Sequence, residues 1–471
     1  MKRITKRVLA AFLAVVMCLT CACTGAEAPK QENAETKPAA EEGTVKETIV
    51  SQLKAYAAQY PELITLPKEE DYVGKDGEID YDSFFDDYEA WLKARQAKID
   101  EGKKVSPSLK TFYEKTLPVF LEHGEGEKNT VYSPINVYMA LAMLAEIVDG
   151  DTRTQILDVM GAKDIEEVRE TAKTLWLSNY QSDDAVTCLL ANSLWLNEDV
   201  AFHEEALKTL AEEHFASSYS GKCGSAEMNK ALQDWLNENT GGLLEEAAKG
   251  IELSVDTVIA LASTIYYKAS WADQFEKSAT QDDIFHSAKG DQTIPFMVQT
   301  ENYFYVKTEN MTVVGLPLTQ SGTMYFFLPE EGASAESLPS DPKLLDVLMT
   351  TQQKDWARVR IHLPKFDVSS SLDLVEDLKK LGVNDVFTAA KSDFTPLTDV
   401  ENIEVTQITH AGRVKVDEEG VEAAAFTVMV TEATAYMPEE PIDVVLDRPF
   451  VFAVTSFDGT VLFTGVVNTM E

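Results

Sequence analysis

The stretch "DEEGVEAAAFTVMVTEATAYMPEEP", residues 417–441, decides how this chain is read. From Val421 onward, one face of an extended segment carries Val421, Ala423, Ala425, Thr427, Met429 and Thr431, all small or apolar. The other face carries Glu422, Ala424, Phe426, Val428, Val430 and Glu432. Period two with one uncharged face is the pattern of a strand with a buried side. Ahead of it, "ITHAGRVKVDEEG" is already strand-like and ends in a turn signal at Glu419-Gly420. Behind it, Pro438 and Pro441 cannot donate ladder hydrogen bonds and favour exposed, extended backbone. The segment is able to join a sheet, yet it is framed for display outside one.

The surroundings supply the sheet. After Ser106 the chain alternates helices and strands to its end. "YSPINVYMALAMLAEIVDG" opens on Ser133-Pro134, a cap followed by a first-turn proline. Its apolar stripe includes Val137, Leu141 and Ile147, and it stops at Asp149-Gly150. "VTCLLANSLWLN", "DTVIALASTIYY", "TMYFFLP" and "RVRIHLPKF" are strand runs dense in apolar and β-branched residues. "RPFVFAVTSFDGTVLFTGVV" predicts a hairpin with Asp458-Gly459 as a two-residue turn. Strands and helices in irregular order, without βαβ repetition, predict an α+β fold with extended, partly antiparallel sheets.

At 471 residues the chain can bury a large core, and its 45% hydrophobic and 25% charged residues are those of a globular protein. A formal net charge of −38 argues against nucleic acid, whose phosphates need a basic footprint. The start, "MKRITKRVLAAFLAVVMCLTCACTG", has basic Lys2, Arg3, Lys6 and Arg7 before an apolar run too short for a membrane span. It reads as a secretion signal over residues 1–22. Its Leu-Thr-Cys-Ala-Cys ending resembles a bacterial lipobox, which implies a lipid on Cys23, with Cys21 as the alternative. Residues 23–43 read as a flexible acidic tether and residues 44–105 as a partly helical extension. Within the extension, Phe84, Tyr88 and Leu92 stand at helical spacing. "YVGKDGEIDYDS" imitates part of a calcium loop. Tyr72, Gly74 and Ser83 occupy the first, third and twelfth ligand positions, so the stretch reads as a plain turn. Cys188 and Cys223 could form one disulfide or remain two buried thiols; neither has a metal-ligand spacing.

Enzyme motifs are missing. There is no Gly-x-Ser-x-Gly elbow, His-Glu-x-x-His pair, Walker loop or Gly-x-Gly-x-x-Gly fingerprint. "SQLK" at Ser51 matches Ser-x-x-Lys without a Lys-Thr-Gly partner and reads as a polar helix turn. His123, His203, His214 and His286 read as solvated or core residues.

Five ordered stretches, "YSPINVYMALAML", "STIYYKASWADQF", "LPKFDVSSSLDLVEDLKKLG", "DEEGVEAAAFT" and "RPFVFAVTSFDGTVLFTGVV", give the region 106–471 its resemblance to a serpin. The resemblance implies three β-sheets, eight to nine helices and an exposed reactive centre loop, here about 418–441. It also implies a suicide inhibitor of serine proteases, not an enzyme, that acts without cofactor or metal and as a monomer. The protease forms an acyl-enzyme on the loop, which then inserts as a new strand and deforms the protease. The hinge falls on Glu418, Glu419, Gly420, Val421, Glu422, Ala423, Ala424 and Ala425, the last three adding little bulk.

By motif, a small polar cluster that gates the sheet (the shutter) falls on Ser133, Asn136, Ser263 and His410. Asn136 and Ser263 exchange the family's usual serine and asparagine, a swap that keeps the hydrogen-bonding inventory. Trp271, Lys365 and Glu418 match the breach, where the loop begins to insert. Phe426 is bulkier than usual, and Val421 replaces a common threonine or serine. Spacing from Glu418 puts the reactive bond at Thr434-Ala435, which suits an elastase-like protease. A slip of that count in a long loop gives Tyr436-Met437 and a chymotrypsin-like target. No basic residue lies between Lys415 and Arg448, so trypsin-like proteases are poor targets. The competing reading is a non-inhibitory binding protein of the same fold. Localisation is expected to be extracellular, on the cell surface, with the membrane reached through the N-terminal lipid.

Overall fold

The structure, a computed structural model, describes residues 50–421 and 440–470 apart from 51–52, 64, 76, 125–126, 184–185 and 351–354. These lie in a single compact unit, Glu47–Glu471. The seven strands that form the path of the main sheet are β1 (Lys54–Tyr56), β2 (Val186–Asn197), β3 (Ala216–Gly221), β4 (Ile259–Ser270), β5 (Phe366–Asp373), β6 (Thr409–Val416) and β7 (Gly420–Val421). Their order is β1-β3-β2-β4-β7-β6-β5, with the short Gln181–Ser182 strand beside β2. Only β2 and β3 run parallel.

A second, nine-stranded ladder packs behind the first. The resemblance implies three sheets; the described strands join into two ladders. The cause is one 18-residue strand, Gly290–Lys307. It pairs with Gln281–Ser287 over its first part and with Met311–Pro317 over its last part, and so fuses two sheets into one. Trp356–Pro364 pairs along its other edge, and Ile442–Val445 closes that end in parallel.

The helix Pro134–Ile147 forms between the two ladders. Ser133 accepts from the Asn136 amide at 3.4 Å, and Pro134 fills the first turn where no donor is needed. The sequence suggests a stripe, but 13 of its 14 residues are buried, so it is an all-round core helix. Nine α-helices lie between Lys110 and Lys380 among the described residues. The helix Ala226–Glu238 covers the outer face of the main sheet, burying Met228, Leu232 and Trp235 against Trp195 and Tyr219.

One local expectation needs correction. The terminal hairpin joins Phe450–Thr455 to Val461–Val467 through five residues, not two. Asp458 turns inward there, and its carboxylate accepts from the Thr460 amide (2.9 Å), Ser178 (2.6 Å) and Asn179 (3.1 Å). In the extension, the helix runs Tyr81–Val105 and buries Phe84 and Trp91, whereas Leu92 is 44% exposed. It continues through Ser106–Leu109 into Lys110–Leu121 without a break. β1, three residues of the extension, adds to the main sheet with Lys54 opposite Tyr219. The Tyr72–Ser83 stretch is a turn closed by a Val73–Ile79 bridge.

Candidate functional site

The hinge stands inside the main sheet. Gly420 and Val421 pair antiparallel with Ser270 and Ala269 of β4, and Val421 also pairs with Val416 of β6. Below this point, the facing edges of β4 and β6 share no ladder with any other described strand. A cavity of about 530 Å³ lies there, lined from both sides by residues such as Ile259, Leu261, Ser263, His410, Gly412 and Val414. Gly420 is the only residue type that fits its position, because a Cβ would stand 2.2 Å from the Ala269 carbonyl oxygen. At the other end of the loop, Ile442–Val445 belongs to the second ladder. An uncut loop is therefore pinned to two different sheets.

Trp271, Lys365 and Glu418 come together above the cavity. The Trp271 indole donates to the Asp417 carbonyl (2.9 Å), and the Trp271 and Phe275 amides donate to the Glu419 and Glu418 carbonyls. Lys365 sits 2.7 Å from the Glu418 carboxylate, which is nearly buried. Burial alone would push the Glu418 carboxyl up; hydrogen bonds from Lys365 and Thr280 outweigh it and hold the group below the usual carboxylate range. Thr280 (2.9 Å from Glu418) and Lys277 (2.7 Å from Glu419) were not anticipated. They lie about 140 positions away in sequence, and no local pattern marks them.

Ser133, Asn136, Ser263 and His410 also meet. The Ser133 amide donates to His410 Nε2 at 3.0 Å, and the Ser133 hydroxyl donates to the Leu462 carbonyl at 2.7 Å. Asn136 donates to the Ser263 carbonyl at 2.9 Å and accepts from the Ser263 hydroxyl. The start of one core helix thus holds β4 through Asn136 and β6 through Ser133. The Asn–Ser exchange is compensated in geometry as well as in inventory. Burial pushes the His410 imidazole down to about 4, so it is neutral and accepts the amide proton. Tyr132 packs edge-on to its ring at 5.7 Å.

The remaining hinge residues Glu422, Ala423, Ala424 and Ala425 lie outside the described residues, as do Thr434, Ala435, Tyr436, Met437, Cys21 and Cys23. Cys188 and Cys223 are buried and unpaired, and burial pushes both thiols up, Cys223 to about 11.

Comparison with known proteins bears on this geometry. Residues 117–470 match the family described as serpin (serine protease inhibitor). The chain belongs to the serpin family. Serpin-ZXA of Oryza sativa subsp. japonica is 30% identical over 370 residues, covering 73% of this chain and 91% of that protein. The plasma serine protease inhibitor of Bos taurus is 28% identical over 350 residues, covering 72% and 85%. The native-state crystal structure of the thermophilic serpin tengpin matches with a TM-score of 0.68 at 25% identity, covering 77% and 94%. This serpin carries its main sheet and the strands that flank the loop in the order that the five sequence stretches suggest.

Proposed function

We propose that this serpin is a suicide inhibitor of exported serine proteases with elastase-like preference. A protease acylates the loop at Thr434-Ala435, with Tyr436-Met437 as the alternative bond. Scission frees the near half of the loop from its attachment at Ile442–Val445. That half then continues the strand begun by Gly420-Val421 down the cavity between β4 and β6. The observation that carries this reading is the position of Val421, paired to both central strands directly above edges that no other described strand joins. The inner-face residues that would follow, Ala423, Ala425 and Thr427, are small enough for a slot floored by Ser263 and His410. A lipid on Cys23, or on Cys21, would hold the inhibitor on the outer surface of a bacterial cell, with residues 23–43 as tether; the signal-like start of the chain supports this.

Incubation with pancreatic elastase, chymotrypsin and trypsin, followed by a denaturing gel, tests the reading. The expected outcome is an adduct with elastase that resists denaturation, together with a released fragment that begins at Ala435. Cleavage by every protease without any adduct would make the chain a substrate or a binding protein instead. A mass spectrum of the mature N-terminus showing no lipid on Cys23 or Cys21 would remove the anchor.

A further inference from the structure

The turn that follows β4 carries a second cluster of polar groups, to which the loop mechanism gives no role. Its ends are fixed. The Trp271 and Phe275 amides donate to the Glu419 and Glu418 carbonyls at 3.1 and 3.0 Å, and the Ala272 amide donates to the Pro317 carbonyl at 3.0 Å. Asp273, between these anchors, is exposed. On the long strand Gly290–Lys307, alternation puts Gln299, Glu301 and Tyr303 on one face, opposite Ile361, Val359 and Ala357 of the neighbouring strand. The two pieces meet where Gln299 Nε2 donates to the Asp273 carbonyl at 3.3 Å.

Gln299 Oε1, the Tyr303 hydroxyl and Gln274 Nε2 are buried there without a hydrogen-bond partner. Tyr303 as a whole is only 2% exposed. A phenol left unpaired at that depth is unfavourable unless something at the site repays it. Electrostatics say what the hydroxyl faces. After burial itself, the charges of Asp273 and then Glu301 push the Tyr303 phenol up, so both carboxylates stand close enough to be felt. Partial burial and then the Asp273 charge also push the Glu301 carboxyl up, against the pull of Arg358. Two carboxylates crowd one another here, and a single guanidinium leaves the cluster net negative.

We propose that Asp273, Glu301 and Gln299 Oε1 bind a divalent cation of the calcium class, with the Tyr303 hydroxyl as the floor of the site. The ion fastens the turn beside the hinge to the long strand. A cation supplies what the cluster lacks: it relieves the repulsion between the carboxylates and gives the buried amide and phenol oxygens a partner. The donor set is all oxygen, without thiol or imidazole, which selects a hard ion over zinc or copper. Calcium takes about six to eight oxygens in adaptable geometry, so water completes its shell, whereas magnesium demands a near-ideal octahedron. Among the described residues no group of three or more His, Cys, Asp or Glu side chains is placed to hold a metal. By charge count the site is therefore weak, with a Kd on the order of 10⁻⁴ to 10⁻³ M. Gln274 Nε2 is left to donate to carboxylate oxygens that the ion does not take. Binding here does not depend on loop insertion.

The test is a calorimetric titration of the chelator-treated chain with calcium chloride at constant ionic strength, for the wild type, E301Q and D273N/E301Q. Hydrogen exchange with and without calcium follows. An acidic surface also collects calcium diffusely, so the readout is the difference between wild type and variants at matched salt. The wild type should bind about one equivalent more than D273N/E301Q, and E301Q should weaken that equivalent at least about tenfold. In the wild type alone, calcium should slow exchange of the Trp271 and Phe275 amides, a local response that diffuse binding does not give. In chelator both variants should melt no lower than wild type, since each removes a like-charge contact. If the double variant fails to fold, E301Q decides. Titrations that superimpose for wild type and variants, or exchange at the turn indifferent to calcium, overturn the site.

Discussion

At the scale of single residues, the Ser133–His410 contact depends on an imidazole that stays neutral. His410 accepts the Ser133 amide, and burial lowers its pKa from 6.5 to about 4. The unfolded chain therefore binds its proton before the folded one does. Stability from this group is complete above pH 6.5 and is lost as pH falls toward about 4, by about 3 kcal/mol in full. Glu146 behaves differently. Burial opposes its charge, but Arg169 and His214 prevail and hold it at about 2, so its contribution persists above pH 4.5 and fades only below. We expect melting temperature to fall between pH 6.5 and 4 in the intact protein, and that slope to flatten in His410→Gln; identical slopes would show that the histidine does not govern this pH dependence. Gly420 makes a steric claim at the same scale. Gly420→Ala places a methyl group against the Ala269 carbonyl and should convert inhibitor into substrate, read as more cleaved chain per adduct.

At the scale of elements, the extension is part of the folded body. Leu53 packs at the edge of the apolar cluster beneath the helix Ala226–Glu238, and Tyr60 stacks on Trp176 at 5.5 Å with the rings nearly parallel. Arg95 lies over both Trp91 and Phe457, at 5.4 and 4.8 Å. Trp91→Ala should cost about 3–5 kcal/mol in denaturant unfolding, because the side chain is almost fully buried. Tyr60→Ala should cost about 1 kcal/mol, the worth of a stacked pair. A loss near zero for Trp91→Ala would mean that the extension does not share the body's cooperative unfolding.

The same elements mark what a sequence can and cannot tell. The Ser133-Pro134 start of the core helix was legible because a cap and a first-turn proline are local chemistry. β2 and β4 were legible from their apolar runs. β1 was not, since three residues carry no period, and only the edge of β3 makes them a strand. The helical spacing of Phe84, Tyr88 and Leu92 does not by itself give the buried face, which Phe84 and Trp91, seven positions apart, decide. The five-residue hairpin loop was missed because Ser178 and Asn179, far upstream, draw the Asp458 side chain inward. At the site, the residues picked by motif come together in two clusters, while Lys277 and Thr280 become visible only when Glu418 and Glu419 lie beside them.

At the scale of the whole molecule, the account makes the uncut chain metastable. Below Val421 no described strand joins the facing edges of β4 and β6, and the loop's far end is held at Ile442–Val445. Filling that position adds ladder hydrogen bonds and buries apolar surface, both of which favour the cut form. Loop-cleaved protein should therefore melt far above intact protein, and calorimetry of the two forms checks this. The most direct measurement is a crystal structure of the loop-cleaved chain. The account predicts one continuous strand running from Gly420 through Thr427 and beyond, antiparallel to β4 and β6. Central strands still unbridged below Val421, with the cut segment outside the sheet, would contradict it.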